Sequence, residues 1–169
     1  MTLPTFGVLL VPGAALARPE AVAEVGRAAA DLGYASLWAT DPALLAAVRA
    51  PLPLGLRTDA VPLPISVALD LAAVPAPHVA AARAAWSGAS VLATTGDGTG
   101  ADGRWLPLRA LTSAPRVRTV VHVLRPTDEE LDRAAALGAS EVVVALPGVR
   151  ELDALLSGFA AAAERLAQA

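Results

Sequence analysis

The sequence predicts an α/β protein built on a mainly parallel sheet. Three observations carry that expectation. Short apolar runs alternate with amphipathic runs along most of the 169 residues. The apolar runs are nearly continuous, as strands buried on both faces must be. Two segments far apart share one order: helix, Leu-Gly stop, apolar strand, proline. These are residues 19–42 and 125–148.

The elements follow in order. "FGVLLV", 6–11, is a buried strand closed by Pro12-Gly13. Residues 19–32 form a helix, with Pro19 at the first helical position and Glu20 and Glu24 near the positive end of its dipole. Val22, Val25, Ala29 and Leu32 make its apolar face, and Gly33 is a left-handed stop. "ASLWAT", 35–40, is the second strand and "PLPLGLR", 51–57, the third. Residues 65–74 and 77–86 read as helices parted by Pro75 and Pro77. "ASVLATT", 89–95, is a strand, followed by a polar glycine loop at 96–103. "RVRTVVHVL", 116–124, is a strand. Thr127 and Glu130 form a capping box ahead of a helix, which leads to the strand "EVVVAL" and a closing helix over 151–167. The total is about six strands in one domain spanning 1–169. A closed eight-stranded barrel usually needs about 250 residues, so closure would require very compact units.

Composition narrows the function classes. The chain is 55% apolar and 17% charged, which excludes a disordered chain. Its formal charge of −3, without a basic block, gives no footprint for nucleic acid. It has no cysteine, lysine or asparagine, and all 13 cationic side chains are arginines. Thiolate, Schiff-base and P-loop chemistry are therefore absent. With two histidines and no cysteine there is no metal-ligand set. No apolar run approaches a membrane span, and the amino terminus lacks a signal-peptide pattern, so a cytoplasmic location is expected.

Candidate site residues lie where strands end. Thr40 and Asp41 close the second strand at the edge where this architecture places its chemistry. Asp41 is either a base or hydrogen-bond acceptor for a ligand, or the cap of a helix starting at Pro42. Trp38 is core or wall, or a stacking platform. Arg57 ends the third strand and can pair bidentately with phosphate, unless Asp59 takes it. His122 is an interior acid or base, or a satisfied core histidine. Gly96 and Gly98 offer backbone N–H groups to a phosphate, although no P-loop order is present and a plain connection is the other reading. Trp105, beside Arg104, is a further ligand contact.

Two regions resemble a known family. "FGVLLVPG" with "PEAVAEVGRAAADLGYASLWATD", then "ADGRWLPL" and "TDEELDRAAALGASEVVVALPG", are similar to the bacterial luciferase-like monooxygenases, above all the deazaflavin-using branch. The regions, 6–41 and about 101–165, cover a little over half of the chain. The resemblance implies a truncated or incomplete TIM-like (β/α) barrel. It implies flavin mononucleotide or a deazaflavin coenzyme at the strand carboxyl ends and oxidoreductase chemistry on a small-molecule substrate. Asp41 and His122 would be the catalytic candidates, with Thr40, Arg57, Gly96, Gly98 and Trp105 holding the cofactor. Pro42 stands where that branch often has histidine, and Arg104 is inserted in the Asp-Gly-Trp-Leu-Pro segment. The alternative is a non-catalytic member without cofactor, acting as a binding or assembly module. An open sheet edge would favour a homodimer in either case; neither nucleic acid nor a membrane is an expected partner.

Overall fold

A computed structural model describes residues 4–59 and 67–168. Eight parallel strands close into a barrel in chain order. They are β1 (Thr5–Leu10), β2 (Ser36–Ala39), β3 (Leu54–Arg57), β4 (Leu71–Val74), β5 (Ser90–Ala93), β6 (Gly103–Pro107), β7 (Thr119–Leu124) and β8 (Glu141–Ala145). The ring shuts where β8 pairs with β1, Val143 opposite Gly7 and Ala145 opposite Leu9.

The expected count of about six strands is corrected to eight, and the barrel is closed rather than incomplete. Two strands lie where the sequence predicts none. Of the helix expected over 65–74, residues 71–74, "LAAV", are instead β4, while 65 and 66 lie outside the described residues. A four-residue apolar run has too little period to separate helix from strand. "GRWLP", expected only as a motif beside the glycine loop, is β6. The open edge invoked for a homodimer is therefore absent, because a closed ring has none.

Closure within this length comes from four- to six-residue strands and thin connections. Helices α1 (Pro19–Asp31), α2 (Pro42–Ala47), α3 (Val79–Ala85), α4 (Asp128–Ala136) and α5 (Leu152–Leu166) pack outside the ring. Between β5 and β6 the glycine loop stands in place of a helix. Between β6 and β7 there is only a 3-10 turn at Leu108–Ala110. Proline opens α1 and α2, and Thr127 and Glu130 form the expected capping box on α4. Gly33 and Gly138 end their helices at positive φ, 82° and 74°.

Outward strand residues such as Val8, Leu37, Leu56, Val91, Val121 and Val144 are buried beneath this outer layer. Inside the ring a second core contains Leu9, Trp38, Leu71, Ala73, Leu92, Trp105, Val120, Val143 and Ala145. Strand tilt lifts each strand about one residue above the last, so inward residues sort into layers drawn from alternate strands. The central layer comes from the even strands: Trp38, Ala73, Trp105 and Val143. Two indoles on opposite strands thus fill the axis, their centroids 4.6 Å apart at 58°. The flanking positions are small to admit them. A Cβ on Gly55 would fall 2.8 Å from Trp38 Cζ3.

Candidate functional site at the carboxyl mouth

The next layer up, from the odd strands, is polar. Alternation along β3, β5 and β7 places Arg57, Thr94 and His122 there, beside Leu9 of β1. Above them Thr40 of β2, half-buried, lines the opening. The predicted Arg57, His122 and Thr40 therefore converge on the mouth formed by the strand carboxyl ends.

Arg57 and His122 stand on strands opposite one another in the ring, so both reach toward the axis. The His122 imidazole lies over Trp105, centroids 5.7 Å apart and planes at 19°. Burial first, then the positive charges of Arg57 and Arg109, hold the imidazole below its ordinary pKa; the Leu106 backbone pulls the other way. These surroundings favour the neutral imidazole. It borders a pocket of about 190 Å³ lined also by Pro107, Leu108, Arg109, Val123, Leu124 and Glu130. Arg57 meets Asp59 at 3.7 Å, the pairing its sequence neighbour suggested, but Asp59 is largely exposed. Such a pair is weak and leaves the guanidinium able to take an anion.

Asp41 is the cap of α2: its carboxylate accepts the Ala43 N–H at 2.8 Å. Trp38 and Trp105 are core, not open stacking platforms, with Trp105 only 1% exposed. Gly96 and Gly98 lie on the glycine loop after β5 at positive φ, 72° and 83°. A Cβ on Gly98 would meet the Arg104 stem at 2.9 Å, and Arg104 alternates to the outer wall of β6. Around these glycines the loop bonds to itself. Asp97 accepts from the Thr99 N–H and hydroxyl, and those bonds, with nearby Arg104, keep its pKa low. Asp102 ties the loop down by accepting from Arg83 at 2.7 Å and the Val91 N–H at 2.8 Å.

One polar cluster was not foreseen. At the amino end of the barrel Glu141 is buried inside the ring. It accepts from the Ser36 hydroxyl and from Trp38 Nε1 at 3.2 Å, and pairs with Arg118 at 3.5 Å. Gly7 leaves it room: a Cβ there would fall 2.8 Å from Glu141 Oε1. The available signal was a lone acid opening an otherwise apolar strand. This end of a barrel is where buried polar residues serve stability. No group of three or more acidic or histidine side chains suited to a metal is present among the described residues. Likewise, no described helix is long and apolar enough to cross a membrane.

No family model matches the sequence, and no curated protein matches it. Solved structures do. One is (S)-3-O-geranylgeranylglyceryl phosphate synthase from Thermoplasma acidophilum in complex with its substrate sn-glycerol-1-phosphate. It is 13% identical, with a TM-score of 0.53, over 99% of this chain and 94% of that one. Another is a truncated form of 3-deoxy-D-arabino-heptulosonate 7-phosphate synthase from Thermotoga maritima. It is also 13% identical, with a TM-score of 0.57, over 96% of this chain and 87% of that one. At such identity the likeness establishes the parallel α/β barrel and nothing about activity.

Proposed function

We propose that this barrel is a compact luciferase-like oxidoreductase that binds flavin mononucleotide or a deazaflavin coenzyme at its carboxyl mouth and acts on a small molecule. The family reading rests on the sequence motifs at 6–41 and 101–165. The observation that supports the site is that Arg57 and His122 share one inward layer on opposite strands, with Arg57 acting on the His122 ring electrostatically and that ring stacked on Trp105. The Arg57 Nε is buried without a hydrogen-bond partner, a donor set fit for an anionic group of the coenzyme. The pocket beside His122, about 190 Å³, is smaller than the ~300–1,000 Å³ of ordinary ligand clefts. That pocket is bounded by Arg109 and His122, and Arg57, on the opposite strand, stands outside its lining. When bound, the coenzyme supplies the hydride chemistry. Arg57 orients it by charge, Thr40 offers a hydroxyl at the rim, and the His122 imidazole exchanges a proton with the substrate.

A second reading is favoured by the filled axis. Trp38 and Trp105 plug the ring and Asp41 caps α2. Under it the chain is a non-catalytic binding module that has lost its cofactor. Titration with flavin mononucleotide and with oxidised and reduced deazaflavin, followed by fluorescence, separates the two. The oxidoreductase reading expects micromolar binding weakened at least about tenfold by Arg57→Gln, the scale of one lost charged hydrogen bond. Absence of binding below millimolar concentration overturns it and leaves the binding module.

A further inference from the structure

Three buried side-chain nitrogens among the described residues lack a hydrogen-bond partner: Arg57 Nε, Trp105 Nε1 and His122 Nδ1. All three belong to side chains pointing into one barrel, in its central and upper layers. Folded proteins rarely leave such groups unpaired, since each costs about 1–3 kcal/mol. The amino end of the same interior offers a direct contrast. There the other axial indole, Trp38 Nε1, is satisfied by Ser36 and by the Glu141 carboxylate. The protein supplies its own anion to one indole and none to the other. Arg57 and Trp105 can only donate, and His122 Nδ1 also donates once the ring is protonated. Donors without acceptors recognise an acceptor.

We infer that the throat above Trp105 receives the anionic terminus, phosphate or carboxylate, of the small molecule that enters the mouth, and that His122 gains a proton as this anion docks. The inference rests on the mouth being the binding site and not on the ligand being a flavin. The charged groups facing His122 are Arg57 from β3, Arg109 from the 3-10 turn after β6, and the Glu130 carboxylate from α4 across the pocket. Without an anion the two arginines favour the neutral ring. An anion between Arg57 and the imidazole reverses that balance, so binding takes up a proton and tightens as pH falls.

The test is an NMR titration of the histidine ring resonances with inorganic phosphate and, separately, formate. The expected result is a raised His122 pKa with His78 unmoved. Between the free and the raised pKa, affinity should tighten as pH falls, by up to about tenfold per pH unit, and level off on either side of that window, as one coupled proton requires. Arg57→Gln should weaken the effect at least about tenfold, and Trp105→Phe, which keeps the ring stack and loses the donor, should weaken it too. Amide spectra of the variants verify their folding. A His122 pKa unchanged by either anion overturns the inference, as does a crystal structure grown with phosphate in which water alone bridges the three nitrogens. Flavin binding without any anion effect refutes the throat and spares the cofactor reading. An anion effect without flavin or deazaflavin binding does the reverse.

Discussion

Single residues decide how this small ring is filled. Gly55 faces the Trp38 indole so closely that any side chain must displace it. Gly55→Ala should therefore cost about 1–3 kcal/mol of overpacking, read by chemical denaturation. Glu141 is the acceptor for Ser36 and Trp38 and the partner of Arg118. Glu141→Leu should destabilise by about 3 kcal/mol because it strands those donors inside the ring. His122 gives a pH signature. Its folded-state pKa lies below the ordinary value of about 6.5, so between the two values the unfolded chain binds more protons. Stability is then unaffected well above pH 6.5 and falls as pH drops through about 6.5, levelling below the folded pKa. His122→Gln should flatten that fall; urea midpoints between pH 8 and pH 5 would show it.

Elements were legible where they carried punctuation. The Pro19 start and Gly33 stop bracket α1, and Thr127, Glu130 and Gly138 bracket α4; both helices lie where those residues place them. β4 is a four-residue apolar run too short to show a strand period, and β6 opens on the last glycine of the polar loop and carries Arg104 among its five residues, so neither reads as a buried strand. The site was legible in part for the same kind of reason. Arg57, Thr40 and His122 end or line strands, and alternation puts them at the mouth. The Glu141 cluster joins strands distant in sequence, and only barrel closure brings them together. Asp41 permits a test at this scale. Asn caps helices as well as Asp, so Asp41→Asn should keep stability, while Asp41→Ala should lose about 1 kcal/mol. Loss of activity in the asparagine variant alone would show that the carboxylate does more than cap α2.

At the scale of the molecule, closure binds every strand to two neighbours, β8 to β1 included. No half of the ring keeps its interior core without the other, because Trp38 and Trp105 come from opposite sides and meet on the axis. Unfolding should be a single cooperative step, with far-ultraviolet circular dichroism and tryptophan emission tracing coincident curves. Separate transitions would mean that half-barrels survive alone. The same pair has an optical consequence. Two of the chain's three tryptophans lie on the barrel axis, and one of these sits directly under an imidazole that borders the mouth. An imidazolium on that ring would perturb its excited state as a neutral imidazole does not. The protein thus carries a built-in, label-free reporter of what enters its open end.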